Sequence, residues 1–230
     1  MRYSLSVPVV PRESGSTASG MLRENAYARL KQRLFASALK PGQLVSQKEL
    51  ARLIRCPLGP TREAILRLAT EGLLRVVPQR GIVINDLGLD FIRNVFDLRV
   101  MIEREAVRAF VEKTPRAELA QLKRDHQRVL GRARTQINTT LLTEALHLDW
   151  HFHDLIVAAL DNDLIEEIYR INSDRIRLIQ AKRGYVADRL PSAMQEHITI
   201  LDAGLSKGPA AATSAMDRHL SESRRWAVRV

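Results

Sequence analysis

A mainly α-helical chain of two domains is what the sequence predicts, on three observations. Residues 21–70 have the apolar spacing of three short helices, and residues 73–84 change to the pattern of two strands joined by a turn. From residue 86 onward the spacing is helical again, with no convincing strand. Apolar residues make up 45% of the 230, enough for a core in each domain. The chain therefore divides into a tail over residues 1–20, a first domain over 21–86 and a second over 87–230.

The first twenty residues are expected to form a disordered tail rather than a signal peptide. Their apolar stretch is short and is interrupted by Pro8 and Pro11. No part of the chain approaches the 18 consecutive apolar residues of a membrane span, so no membrane partner is expected. The one cysteine, Cys56, cannot form an internal disulfide and favours a reducing, cytoplasmic location.

Most of the net charge of +10 lies in the first domain and the tail. Residues 1–86 carry 14 Lys and Arg against 6 Asp and Glu, a net +8, whereas residues 87–230 carry 22 against 20, a net +2. A small basic domain joined to a nearly neutral one is typical of a nucleic-acid-binding module with a regulatory partner. The alternative is a basic surface that binds no ligand.

The first two helices of the basic domain are defined by apolar spacing and by their ends. One is predicted over Met21–Ala38, and Pro41 and Gly42 end it. Ser46 begins the next as its N-cap, and Glu49, three residues on, completes a capping box.

A third helix and a hairpin follow, which makes this domain a winged helix-turn-helix. The helix is predicted over Thr61–Thr70, after a turn at residues 56–59, and the strands over Leu73–Val77 and Ile82–Ile84. The third helix is expected to enter the major groove of double-stranded DNA by its N-terminal end. The hairpin tip is expected to reach an adjacent groove or the phosphates.

Four motifs of this domain fall at characteristic mutual spacings: PGQLVSQKELA at 41–51, PTREA at 60–64, EGLL at 71–74 and RG at 80–81. In them the sequence resembles the GntR family of bacterial regulators. The resemblance implies binding to operator DNA through the second helix, the start of the third and the wing. The residues so implied are Lys48, Thr61, Arg62, Gln79, Arg80 and Gly81. For Lys48 and Arg62 the alternative is an ordinary surface ion pair.

The start of the third helix departs from that family. Members usually have a Ser/Thr-Arg-Thr run there, whereas this chain has Pro57-Leu58-Gly59. The hydroxyl N-cap and one base- or phosphate-reading arginine are therefore missing. We expect Leu58 to contact a thymine methyl group and the backbone N–H of Gly59 to contact a phosphate. We therefore do not expect this protein to prefer the operator sequence that is usual in the family.

Six further helices are predicted after the wing, which indicates an all-α antiparallel bundle. Apolar residues trace one face of each, and Pro115, Pro191 and Pro209 stand near the start of three of them. The helices are predicted to span residues 91–114, 115–130, 139–160, 164–182, 191–205 and 209–226.

Polar residues on apolar helix faces are the candidate ligands of this bundle. Asp149 and His153 lie one turn apart on the apolar face of their helix, whereas His147 and His151 point to the opposite face. A buried carboxylate and imidazole each need a partner.

His197 and His219 likewise lie on the apolar faces of the last two helices. One carboxylate oxygen and three imidazole nitrogens suit a divalent transition metal such as zinc, nickel or manganese. For each histidine the alternative is a hydrogen-bonded packing residue.

The bundle also resembles the FCD domain, the effector domain of the FadR branch of the GntR family. The matching pattern is Arg99 with Glu103, Asp149-x3-His153, Asn162, Glu196-His197 and His219. The resemblance implies that the metal ligands are Asp149, His153, His197 and His219. It also implies a small organic acid as effector.

Two arginines and an asparagine are the candidate effector-binding residues. Arg99 lies at the edge of an apolar face, and Arg175, with Asn172, lies on another. An inward arginine needs a partner, and its fork suits a carboxylate. The alternatives are a pair with Glu103 for Arg99 and a structural pair for Arg175. The expected effector is a mono- or dicarboxylate, such as a sugar acid.

These features together predict a homodimeric transcriptional repressor that is not an enzyme, with operator affinity set by the effector. Two alternatives stay open. One is a metal-dependent hydrolase or lyase with a basic N-terminal module, against which stands the lack of a further acid–base motif. The other is a sensor of acyl ligands that uses no metal.

Overall fold

The computed structural model describes residues 16–36, 38–183 and 186–229, and it divides the chain into two compact units, residues 1–85 and 86–230. Most of the expected tail, residues 1–15, lies outside the described residues. Residues 16–20, which were also assigned to that tail, form the first turns of a helix instead.

The first unit is a three-helix winged helix. Its described elements, in order, are α1 Ser16–Phe35, β1 Leu44–Val45, α2 Gln47–Ile54, α3 Leu58–Thr70, β2 Leu74–Val77 and β3 Gly81–Ile84. The predicted hairpin is present as β2 and β3, paired antiparallel with Leu74 opposite Ile84. β1 was not predicted: it pairs antiparallel with β3, so the strand order is β1-β3-β2.

Apolar side chains of all these helices meet β2 and β3 in one core. Helix α1 packs on α3, and α3 packs on β2. Burial of this apolar surface stabilises the unit, since each fully buried Leu or Ile is worth about 1.5–3 kcal/mol relative to an exposed one. The fully buried members include Leu30, Leu34, Leu50, Ile65, Leu68, Leu73, Leu74, Ile82 and Ile84.

The second unit is a bundle of six described helices. They are α4 Leu89–Lys113, α5 Arg116–Ala133, α6 Thr139–Ala158, α7 Asp163–Arg183, α8 Val186–Lys207 and α9 Pro209–Val228. Helix α4 packs against α6, α7 and α9, and α8 packs against α5, α6 and α9. The all-α bundle predicted from the sequence is therefore confirmed. Among the described residues, no helix combines the length and apolar character needed to span a membrane.

Helix α8 begins earlier than expected. Its predicted first residue, Pro191, lies inside the helix, which starts at Val186. As the sixth residue of the helix, Pro191 lies beyond the first turn and removes one backbone hydrogen bond, because it has no N–H to donate. The buried side chains of Arg189 and Leu190 belong to the added turn, so the extension brings a cation into the bundle.

Candidate functional site

The N-terminal halves of helices α2 and α3 contain residues that are expected to contact DNA. The capping box predicted for α2 is present: the Ser46 side chain accepts from the Glu49 N–H at 3.2 Å, and the Ser46 N–H donates to Glu49 Oε2 at 2.7 Å. Lys48 and Arg62 are both exposed, and Arg62 Nε donates to Gln47 Oε1 at 3.3 Å. The two cations therefore lie on the surface of the helix-turn-helix, with Arg62 held by a neutral side chain.

The start of α3 offers backbone donors rather than a side-chain cap. Its N-cap is Pro57, which makes no side-chain hydrogen bond, and the helix begins at Leu58, three residues before the predicted start. Leu58 and Gly59 are both exposed. Free N–H groups at a helix N-terminus attract anions, so this geometry is compatible with the expected contact between the Gly59 N–H and a phosphate.

Thr61 is placed differently from its neighbours. Its side chain is fully buried, and its hydroxyl donates to the Pro57 carbonyl at 2.8 Å. It holds the first turn of α3 together, and its side chain does not reach the surface. Its expected contact with DNA thus has no support in this geometry.

The wing tip has one residue with a structural reason of its own. Gln79 and Arg80 are exposed, and Gln79 has a φ of 59°. Gly81 has a φ of 130°, and a Cβ there would lie 2.8 Å from the Val45 carbonyl oxygen. Glycine is therefore required where β1 closes on the hairpin, whether or not Gly81 also approaches DNA.

In the second unit, three of the four predicted metal ligands converge. His153 on α6, His197 on α8 and His219 on α9 each offer a ring nitrogen within 4.8 Å of the others. Nε2 of His219 lies 3.4 Å from Nε2 of His197 and 3.3 Å from Nε2 of His153. All three side chains are buried. Three imidazoles from separate helices thus meet at one point in the bundle.

The fourth predicted ligand lies beside this cluster. Asp149 Oδ1 is 3.6 Å from Nε2 of His197, and the side chain is 16% exposed. His147 and His151, on the opposite face of α6, are exposed as the spacing predicted. Asp149 therefore lies at the edge of the cluster that faces solvent.

Carboxylates lie against the outer nitrogens of two of the histidines. His219 Nδ1 is 2.8 Å from Glu196 Oε2, which Arg189 also contacts. His153 Nδ1 is 2.8 Å from Glu103 Oε2. A carboxylate at Nδ1 keeps the proton there and leaves Nε2 free to bind a metal. In the sequence Glu196 appears only as part of the FCD pattern, and nothing there predicts its contact with Nδ1 of His219.

Burial keeps the imidazoles of His197 and His219 neutral. It lowers the pKa of His197 and of His219 well below their usual values, and neighbouring positive groups lower each further. Burial would raise the pKa of Glu103, but Arg99 and His153 outweigh it and lower that pKa. His197 and His219 are thus neutral, the protonation state in which an imidazole nitrogen can bind a transition metal.

Arg99 adopts the alternative pairing named above. Its Nε donates to Glu103 Oε1 at 2.6 Å, and its Nη2 lies 2.7 Å from Nε2 of His153. Glu103 also accepts from the Tyr169 hydroxyl at 2.5 Å. Burial opposes the charge on Arg99, but Glu103 outweighs it and raises the pKa of Arg99. Arg99 is therefore both structurally paired and in contact with the cluster.

The other predicted effector residues lie on α7. Asn172 is fully buried and donates to the Val95 carbonyl at 3.0 Å, so its amide links α7 to α4. Arg175 is half-buried. Neither residue lines the cavities beside the histidines.

Two cavities adjoin the cluster and share Asp149 and Gln180. One is lined mainly by polar side chains, among them Arg99, Trp150, His153, Tyr169 and Arg177. The other is mostly apolar and has Arg189 in its wall; its apolar lining is Ala145, Leu146, Val186, Leu190, Ala193 and Met194. Sequence reasoning missed Arg177 and Arg189.

Arg177 is held in the polar cavity by an aromatic face and two carboxylates. Its guanidinium lies 4.5 Å from the centroid of the Trp150 ring. It is also 3.6 Å from Asp154 Oδ2 and 3.7 Å from Asp174 Oδ1. The side chain is 24% exposed, so it is positioned in advance yet still open to a ligand.

Family comparison agrees with this pairing of a winged helix and a helical domain with a histidine cluster. Residues 22–84 match the family described as bacterial regulatory proteins, gntR family, and residues 94–222 match the FCD domain. A fold and site of this kind define a DNA-binding transcriptional regulator. The chain belongs to the FCD-containing regulators of the gntR family, which are regulators rather than enzymes.

Similar proteins cover nearly the whole chain. The HTH-type transcriptional repressor RspR of Escherichia coli K12 is 26% identical over 205 residues, 87% of this chain and 86% of that protein. A GntR regulator from Rhodococcus sp. RHA1 has a TM-score of 0.71 at 17% identity, over 90% of this chain and 97% of its own. E. coli McbR/YncC has a TM-score of 0.67 at 20% identity, over 87% and 94%. The structural likenesses establish the fold.

Proposed function

We propose that the chain is a metal-dependent transcriptional repressor whose operator affinity is controlled by a small carboxylate bound beside the histidine cluster. The observation that carries this proposal is the cluster itself. Three buried imidazoles from separate helices each offer one nitrogen to a common centre, and two of them have a carboxylate near the other nitrogen. Packing alone does not require that arrangement.

The donor set fits a divalent transition metal. His153, His197 and His219 would hold the ion through Nε2, with Asp149 as the oxygen ligand. Zinc, nickel and manganese all accept such a set. When bound, the ion supplies a positively charged centre for an anionic ligand. Glu196 and Glu103 orient two of the rings for that task.

The charge of the polar cavity favours an anion only when a metal is present. Arg99 and Arg177 in its lining are matched in number by Asp149 and Asp154. A divalent cation at the cluster would leave this region positive, and a carboxylate can bridge a metal and a guanidinium. The metal is therefore expected to bind first and the carboxylate effector second.

The adjoining apolar cavity further restricts the kind of acid expected as effector. Six apolar side chains line it, and it shares Asp149 and Gln180 with the polar cavity. A carboxylate with a compact apolar body would place its charge beside the polar lining and its body beside the apolar one, whereas a sugar acid would bury hydroxyls against apolar side chains. Among the mono- and dicarboxylates expected from the sequence, we therefore favour an aliphatic acid over a sugar acid.

DNA binding is assigned to the first unit, through Lys48, Leu58, Gly59, Arg62, Gln79 and Arg80. Winged helices usually read two half-sites as a dimer, which supports a homodimer. RspR, similar over most of the chain, is a repressor by its own name, which supports repression.

Operator binding with matched acids tests the proposal. Operator sequences are first selected from a random double-stranded pool, and binding is followed by fluorescence anisotropy with the zinc- or nickel-loaded protein. Isovalerate and related aliphatic acids are expected to weaken binding more than glycerate, and only while metal is present. An acid response that survives a chelator would contradict the metal-dependent proposal and favour a metal-free acyl sensor.

A further inference from the structure

A fourth histidine is buried beside the cluster without belonging to it. His126 on α5 is fully buried, and its ring lies edge-to-face with that of His197, with centroids 5.1 Å apart and planes at 76°. In the described part of the chain, the ligand atoms within 4.8 Å of one another come from His153, His197 and His219. His126 is therefore next to a ligand but is not one of the converging ligands.

The backbone fixes which nitrogen of His126 carries the proton. Nδ1 lies 2.8 Å from the carbonyl oxygen of Leu122, one turn earlier in α5. A carbonyl only accepts, so Nδ1 is the donor. With that proton on Nδ1, the other ring nitrogen, Nε2, is left with a lone pair. That buried Nε2 has no hydrogen-bond partner among the described residues.

His197 has a buried nitrogen that could donate to this acceptor. Its Nε2 faces His219 and Asp149, so metal binding there requires the proton to be on Nδ1. That Nδ1 is also buried and also lacks a hydrogen-bond partner in the described residues. Of the three converging histidines, His153 and His219 have a carboxylate near Nδ1, and His197 has the edge of His126 instead.

We propose that His126 is a positioning residue for the metal site: the Nδ1–H of His197 donates to Nε2 of His126, whose own Nδ1–H donates to the Leu122 carbonyl. Forming this bond requires one of the two rings to rotate from its edge-to-face orientation. The chain of donors and acceptors holds His197 in the tautomer that points a lone pair at the metal. The inference rests on the proposed metal function.

Nitrogen NMR of the metal-free protein tests the two tautomers directly. The ¹⁵N shifts and two-bond couplings of the imidazoles are expected to show a protonated Nδ1 on both His126 and His197. A protonated Nε2 on His126 would overturn the proposal, since that ring could then not accept. The spectrum needs no metal, so it tests the inference even if the wild-type protein binds neither zinc nor nickel.

Two substitutions at one position then separate hydrogen bonding from packing. His126→Phe keeps a ring against Phe152 but removes the acceptor, and His126→Gln restores an acceptor near the position of Nε2. Loss of such a second partner typically weakens metal binding about 10–100-fold. We expect a zinc affinity, measured by chelator competition, that falls by about this factor in His126→Phe and largely recovers in His126→Gln.

The matched control is His151→Phe, on the exposed face of α6. If His126→Phe binds zinc as tightly as His151→Phe does, the positioning role is wrong. If His126→Phe fails to fold, His126→Gln and the wild-type tautomers still decide the question. Retained affinity in His126→Gln together with a protonated Nδ1 on His197 supports the bond, and a protonated Nε2 on His197 opposes it.

Discussion

Nη2 of Arg99 lies 2.7 Å from Nε2 of His153, the same nitrogen that faces His219. A metal ion bound as proposed would therefore compete with the guanidinium for one lone pair. Arg99 would then have to turn away from His153, while its Nε could stay on Glu103. That movement would free part of a buried guanidinium at the wall of the polar cavity, where a carboxylate could contact it.

Loss of Arg99 is expected to destabilise the metal-free protein. Arg99→Met leaves the buried Glu103 without its main countercharge, at a cost of about 3–5 kcal/mol in the free energy of unfolding. The double variant Arg99→Met/Glu103→Leu should lose much less than the sum of the two single variants. Urea unfolding in the presence of a chelator measures both. Arg108→Met, which breaks an exposed pair with Glu112, should change stability by no more than about 1 kcal/mol, and an equal effect at both positions would refute the argument.

Metal content and stability should fall together in His197→Ala and in His219→Ala. A ligand that binds only the folded state raises the melting temperature, so losing the ion lowers it. Mass spectrometry of the purified protein gives the metal content, and thermal unfolding gives the stability. His151→Ala is the control, because His151 is exposed on the same helix as His153. Equal metal loss in all three variants would contradict the assignment of the ligands.

Arg62→Ala should weaken operator binding by about 1–3 kcal/mol if Arg62 reads a base edge. The loss on random DNA should then be smaller, since a base contact adds specificity. Equal losses on both would make Arg62 a phosphate contact, and the salt dependence of binding would fall as well. Arg124→Ala, at an exposed position of α5 in the other unit, is the control. An Arg62→Ala effect no larger than the control's removes Arg62 from the interface.

A pair of neighbouring arginines on α7 tests the effector cavity. Arg177 lines the polar cavity and Arg175 does not. With metal bound, stabilisation by an aliphatic carboxylate in a thermal shift assay should be weakened by Arg177→Gln and much less by Arg175→Gln. Both variants should keep wild-type metal content. The reverse order would support the choice of Arg175 made from the sequence.

Acid should destabilise the metal-free protein from about pH 6.5 downward. The pKa of His197 and of His219 is lowered in the fold, chiefly by burial, whereas an unfolded histidine has a pKa of about 6.5. Below that value the unfolded chain binds protons that the folded chain does not, so stability falls as the pH decreases. Melting temperatures between about pH 8 and pH 5 measure the slope. The slope should be smaller in His219→Phe, and an unchanged slope would mean that these rings titrate normally.

Much of the fold, and the burial of His153, His197 and His219 in the bundle, could be predicted from the sequence because both depend on helical spacing. The same spacing put His153 inward and His151 outward, as the structure has them. β1 was missed because two residues are too short to alternate, and only its pairing with β3 defines it. His126 could have been found, since it lies three residues before the buried Val129 on the apolar face of α5.

Helical spacing alone could not predict which arginine of α7 lines the effector cavity. Arg175 and Arg177 are both half-buried on α7. Which of them meets the cavity depends on where Trp150 and Asp154 of α6 lie. Likewise Thr61 belongs to a matching motif, but its burial depends on the helix starting at Leu58 rather than at Thr61 itself.

The three converging histidines also bear on how the chain is tied together. His153 and His219 are 66 residues apart, and His197 lies between them, 22 residues before His219. An ion held by all three would close two long loops, and closing such loops restricts the unfolded chain much as a disulfide does. With a single cysteine, this chain has no internal disulfide with which to do the same. A chelator would then have the effect that a reductant has on a disulfide: it would remove the cross-link that joins α6, α8 and α9.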